Sequence, residues 1–159
     1  MNGPRPSTRA FLCDLPQLPA DSKIRFLGCV SQYNVAVGHL ILEHNYPRSK
    51  TGPNTVSVDI NAVLESLTAE DLRVGTWLNV LGYVRDSSCP PEASFSSSEH
   101  DSQFSNSEYA TVTIPVKVPA RPVIVEALMV FPAGAIALGE YERILRNVQG
   151  VESRIHYSQ

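Results

Sequence analysis

Four histidines, three cysteines and a serine-rich tract have the greatest chemical reach in this 159-residue chain. His39 and His44 stand five apart in a segment that alternates like a strand, so their rings point to opposite faces and do not share a metal ion. Cys13, Cys29 and Cys89 lack C-x-x-C spacing. So sparse and odd a set builds no disulfide framework and fits a reducing compartment. Cys29 falls inside an apolar strand pattern, where a buried structural thiol is expected rather than a nucleophile. No glycine-rich phosphate loop follows a strand, no G-x-S-x-G occurs, and the serines have no base beside them except His100. These residues assemble no catalytic, metal-binding or cofactor-binding constellation. The expectation is a protein that is not an enzyme and holds no cofactor.

Binding chemistry is better represented. Tyr33, Tyr46, Arg48, Lys50, Tyr83, Arg85, Lys117 and Arg121 offer rings on which bases stack and cations that meet phosphates. The same residues serve equally well as strand aromatics that complete a core and as ordinary surface charges. With only 13 Lys and Arg in 159 residues, any nucleic-acid affinity is expected to be modest or shared with a partner chain.

The elements that must carry these residues are mostly strands. Ile24, Phe26, Gly28 and Val30 share one face of a long first strand over 23–33, and Gly28 marks where it bends or bulges. A second strand follows over 39–44, with Leu40 and Leu42 inward, and a third has Val56, Val58 and Ile60 alternating. The period then lengthens. Asp59 or Asn61 is placed to cap a short helix carrying Val63, Leu64 and Leu67, and Thr68–Asp71 resembles a capping box on a turn ending at Gly75. A fourth strand over 77–84 is apolar on both faces, so both are expected to be covered. Alternation suggests a strand over 109–118, and 123–131 is expected as the fifth main strand. Ala137, Leu138, Tyr141, Ile144, Leu145 and Val148 then form one stripe of a helix over 134–148.

Strand, strand, strand, short helix, strand, strand and terminal helix is the order of a five-stranded Greek-key barrel, the OB-fold. The chain is accordingly read as mainly β, with the short helix between strands three and four closing the barrel bottom. An SH3-like or other small barrel is the alternative, and it would not need that helix. The helical stripe must be covered by the chain's own barrel or by a helix of another barrel.

Residues 1–19, with Pro4, Pro6, Pro16 and Pro19, read as an extended, ill-ordered lead before a single domain over 20–150. Residues 151–159 are left as a tail. From 87 to 107 nine of twenty-one residues are serine and none is Lys or Arg, so this stretch reads as a disordered loop inserted in the barrel. Ser96, Ser98 and Ser102 carry short patterns compatible with phosphorylation. The chain has a net charge of −3. Outside residues 86–108 there are thirteen basic and eleven acidic residues, so the folded part is mildly positive, too weakly for a strong stand-alone nucleic-acid binder. No uninterrupted apolar run approaches membrane-spanning length, and residues 1–9 lack the apolar run of a signal peptide.

The runs KIRFLGCVSQYNVAVGHLILEH (23–44), VSVDINAVLESL (56–67) and VGTWLNVLGYVR (74–85) resemble the smallest subunit of the telomere-capping CST complex, in its fungal version. That subunit is in turn similar to the smallest subunit of replication protein A. With the last strand and the helix, the likeness covers about residues 20–86 and 109–150. It implies a non-catalytic OB domain in the nucleus at chromosome ends. Its partner would be the OB domain of the middle CST subunit, met through terminal helices of both chains. The heterodimer, alone or with a larger DNA-binding subunit, would protect the single-stranded telomeric 3′ overhang and restrain telomerase. Arg25, in the strand-one motif, is implied as an interface or DNA contact. A stand-alone single-strand binder, or a structural OB adaptor outside telomeres, are the alternatives.

Overall fold

In a computed structural model the described residues are 3–87 and 122–156. The serine-rich tract beyond Ser87, the strand expected over 109–118, Lys117 and Arg121 lie outside them. Seven elements make the fold: β1 (Thr8–Arg9), β2 (Lys23–Asn34), β3 (His39–His44), β4 (Asn54–Asp59), β5 (Trp77–Asp86), β6 (Val123–Pro132) and α1 (Leu138–His156).

β2 is long enough to serve two neighbours. Lys23 to Cys29 pair antiparallel with β5, and Cys29 to Asn34 pair antiparallel with β3. β3 continues to β4, β4 meets β6 in parallel through Ser57, Val58 and Asp59, and β6 returns to β5. The sheet closes on itself as the expected five-stranded barrel. Alternation fills it: Ile24, Phe26, Val30, Leu40, Leu42, Val58, Leu78, Val80, Val84 and Val125 point inward and are buried. Burying each contributes about 1.5–3 kcal/mol relative to leaving it in water.

The bend in β2 is not at Gly28. The ladder slips between Val30 and Gln32, and the displaced Ser31 donates its hydroxyl to the Ile41 carbonyl at 3.1 Å. Gly28 serves close packing instead, since a Cβ there would lie 2.9 Å from the Leu42 Cβ. A second bulge sits where β5 passes from Leu81 to Gly82 and β6 from Met129 to Ala127. It leaves Leu128 unpaired and 43% exposed, and it requires Gly82, whose Cβ would strike the Glu126 carbonyl oxygen at 2.3 Å.

Three sequence expectations need correction. The helix between the third and fourth barrel strands is only a 3-10 turn, Leu64–Ser66. Local side-chain bonds compete with helix propagation here. Asp59 accepts the Asn61 N–H at 3.0 Å, and Thr68 and Asp71 exchange backbone and side-chain bonds. Val63, Leu67 and Leu72 still pack against the core, so turns close the barrel bottom in the helix's place.

The second correction concerns residues 1–19. β1 pairs in parallel with β2, Thr8 opposite Ile24, and a 3-10 turn follows at Leu12–Gln17. Asp14 holds that turn by accepting the Phe11 N–H at 2.9 Å. Ala10, Leu12 and Leu15 belong to the barrel core. Their burial stabilises the segment enough to outweigh the entropy of ordering it, which a reading of its prolines alone does not capture.

The third concerns the tail. α1 runs to His156, through Gly150 and into residues assigned to the tail. One helical glycine costs only about 1 kcal/mol. The Ser153 hydroxyl bonds the Gln149 carbonyl at 2.9 Å, and Arg154 and His156 suit the negative end of the helix.

Candidate partner interface

α1 lies on the outside of the barrel wall. Phe11, Leu27 and Leu145 are buried yet lie outside the cluster that fills the barrel, so they form a second, thinner apolar layer between wall and helix. Leu27 points outward because it alternates with the inward Phe26 along β2. Polar anchors flank the layer. His44, at the end of β3, is 3% exposed, and its Nε2 meets Glu142 Oε1 at 2.9 Å. Gln149 donates its amide to Asp14 at 2.8 Å. Rings gather around His44: Trp77 edge-on at 5.3 Å, Tyr46 at 6.2 Å and Tyr141 at 6.5 Å between centroids. Burial pushes the Tyr141 hydroxyl above its ordinary pKa, while a hydrogen bond with the Leu27 backbone and the Arg9 and Arg25 cations pull the other way.

The structure divides the single stripe read from the sequence. Leu145 is 3% exposed, and Leu138 and Tyr141 are half-buried toward the barrel. While the helix is docked, Leu145 offers no surface to a partner. Ile144 and Val148 face out at 44% and 41% exposure, and Val151 and Ile155 continue the line at 56% and 60%. These four recur at intervals of four, three and four residues, the spacing of a seam that packs against another helix. Val151 and Ile155 lie in the stretch expected as a tail, beyond the helix expected over 134–148. The spacing was nonetheless present in the sequence. Ala137 is exposed just before the helix, and its carbonyl accepts the N–H groups of Glu140 and Tyr141.

Glu142 and Gln149 face His44 and Asp14 on one flank of the docked face, and Tyr141 faces Leu27 and Arg25 on the other. On the barrel wall Arg25 stands opposite Leu81, and Leu81 opposite Met129. Met129 and Phe131 are 53% and 40% exposed.

The residues read as nucleic-acid contacts are scattered. Tyr33 packs against the core, and Tyr46 lies 4.6 Å from Phe11, ring to ring. Arg85 lies over the Tyr83 ring at 5.2 Å, donates to Glu126 at 2.8 Å and pairs with Asp21. Arg48 and Lys50 stand exposed in the loop between β3 and β4. Among the described residues nothing gathers the set into one groove.

Among the described residues no group of three or more His, Cys, Asp or Glu is placed to hold a metal ion. Nor is any helix there long and apolar enough to cross a membrane. Burial pushes the Cys13 thiol up to about 11, helped by the charge and hydrogen bond of Asp14. Cys29 is raised as well, again chiefly by burial and then by Glu43. Neither is an activated nucleophile.

The family Ten1, described as telomere capping, CST complex subunit, matches residues 1–146. The chain belongs to the Ten1 family. Two crystal structures show the same fold. The chain is similar to one in the S. pombe Stn1-ten1 complex, with a TM-score of 0.60 at 20% identity over 93% of this chain and 96% of that one. It is also similar to the telomere capping protein Ten1 from Saccharomyces pombe, with a TM-score of 0.58 at 20% identity over 91% and 99%. No curated protein gives a significant sequence match. The OB-fold barrel and the Ten1-type identity expected from the sequence both stand, and as a Ten1-family member the chain is a telomere-capping CST subunit.

Proposed function

We propose that this chain is a non-catalytic subunit that heterodimerises with the middle, Stn1-type OB-fold subunit of CST through the open stripe of α1. The pairing stabilises that partner. The heterodimer, alone or with the larger DNA-binding subunit, helps protect single-stranded telomeric 3′ overhangs in the nucleus and regulates telomere length. Family membership supports the capping role, and the fold shared with a chain of the S. pombe Stn1-ten1 complex supports the choice of partner.

The observation that carries the reading is the exposed line Ile144, Val148, Val151 and Ile155. A solvated helix does not keep four aliphatic side chains in register without a use for them, and an apolar helix face on a second OB-fold subunit would cover them. Arg25 stands beside this surface, where Tyr141 feels its charge, and serves as a rim contact. The test is light scattering of the full-length chain mixed with the Stn1-type subunit at micromolar concentration. A one-to-one complex is expected, and two persistent monomers would overturn the proposal.

A further inference from the structure

Every strand that closes the barrel has a neighbour on both sides, whereas β1 is paired only with β2. Among the described residues β1 is therefore the one open sheet edge. In a parallel pair, alternate residues turn their N–H and C=O groups to opposite sides. Ala10 donates its N–H to the Arg25 carbonyl at 3.1 Å, so Thr8 and Ala10 face β2. Arg9, between them, turns both of its backbone groups outward.

This edge runs along a groove of about 930 Å³, whose other wall is the last turns of α1. The Gln149–Asp14 bond ties the two walls together. Leu18 and Val148 give the groove apolar surface, and Glu152, Ser153 and His156 give it polar surface. Glu152 makes no ion pair among the described residues. It also stands near the C-terminal end of α1, where the last carbonyls of the helix add negative charge. An unpaired strand edge, apolar contacts and an unmatched carboxylate thus share one groove.

From this we infer that the groove receives an extended, lysine-bearing segment of a partner protein, added as a strand to the open edge of β1. A carbonyl of that segment accepts the Arg9 N–H, and an N–H of the segment donates to the Arg9 carbonyl, the bonding of strand addition. Charge selects the occupant: a lysine on the face turned to α1 meets Glu152 and the negative end of the helix. A second copy of this chain fits poorly, because antiparallel pairing of two β1 edges sets Arg9 against Arg9. The groove adjoins the open stripe at Val148. The inference nonetheless does not rest on heterodimerisation, and it is tested on the chain alone.

The probe is the peptide acetyl-Thr-Val-Lys-Val-Thr-amide, about the length of an ordinary strand, titrated into the isotope-labelled full-length chain. Saturable amide shifts are expected below about 1 mM, in residues 7–10 and in the last turns of α1, with slowed exchange of the Arg9 amide. Arg9→Pro removes the outward donor while leaving the β2 ladder intact, and it should weaken binding about tenfold. Arg9→Ala keeps the donor and should bind as the parent does. Glu152→Lys should weaken binding about threefold, and a peptide with glutamate in place of its lysine should reverse that order. Thermal melting confirms that each variant is folded. Absence of saturable shifts overturns the proposal, as does Arg9→Pro binding like the parent. An Arg9 amide already protected in the free chain would show the chain covering its own edge, and a mass that doubles with concentration would show a second copy there. Either result also overturns it.

Discussion

Two apolar faces lie side by side on α1. The docked face, centred on Leu145, is sealed onto the barrel by Phe11 and Leu27 and held in register by the His44–Glu142 and Gln149–Asp14 bonds. The open face, from Ile144 to Ile155, is purely aliphatic and meets water. Periodicity finds both faces equally well, because it measures spacing and is blind to what covers a side chain. Polar residues distinguish them: directional bonds accompany the face that is already seated, and among the described residues none accompanies the face still open.

The sharpest way to break this distinction is Leu145→Glu. A charge placed in the buried layer has no partner, and the cost of about 3–5 kcal/mol should undock the helix. Thermal melting should show a large loss of stability, and pairing with the Stn1-type subunit should disappear along with the docked geometry. If pairing survived with the helix undocked, the docked face would not matter to the partner.

Next in size is Val148→Glu/Val151→Glu on the open face. Stability of the isolated chain should change by no more than about 0.5 kcal/mol per site, as at other solvated positions. Affinity for the partner should fall by about a hundredfold or more by calorimetry, as when central interface contacts are lost. Equal losses of stability at Leu145 and Val148 would erase the comparison.

Glu142→Ala tests the anchors. It leaves both His44 ring nitrogens without a protein partner and should lower stability by about 1–3 kcal/mol in denaturant unfolding. Pairing should weaken less than with the open-face variant.

The smallest effect is at Cys13, half-buried within the 3-10 turn at Leu12–Gln17. Its thiol titrates near 11 rather than 9.0, so the folded state retains the proton that the unfolded chain releases. Alkylation at pH 8–9 should be slow in the native chain, faster in urea, and should accelerate in the native chain as pH approaches 11. By linkage, the stability from this group is present below pH 9 and is lost as pH rises from 9 to about 11. Native alkylation as fast at pH 8 as in urea would show that the N-terminal turn opens freely.

Much of the fold was legible because barrel strands announce themselves by alternation. Phe26, Val30, Leu40, Val58, Val80 and Val84 are all inward, as their period requires. What escaped was long-range cover. Nothing local in Phe11 or Leu15 tells of a barrel end to close, and nothing in His44 tells of a glutamate 98 positions away. The helix expected to end at Val148 runs on through Gly150 to His156. The binding residues were the least legible. Tyr46 and Arg85 have the right chemistry for nucleic acid, but their neighbours Phe11, Asp21 and Glu126 already occupy them.

The bond between Gln149 and Asp14 joins residues 135 positions apart. On the ribosome, the turn at Leu12–Gln17 is made long before the helix that braces it, and Phe11 and Leu27 wait uncovered while the strands between are synthesised. The outer layer therefore forms late, and the open stripe takes its final place at the same moment. A partner arriving during synthesis would meet a barrel with no seam to grip. If pairing runs through α1 as proposed, assembly of the complex waits until that helix has been made.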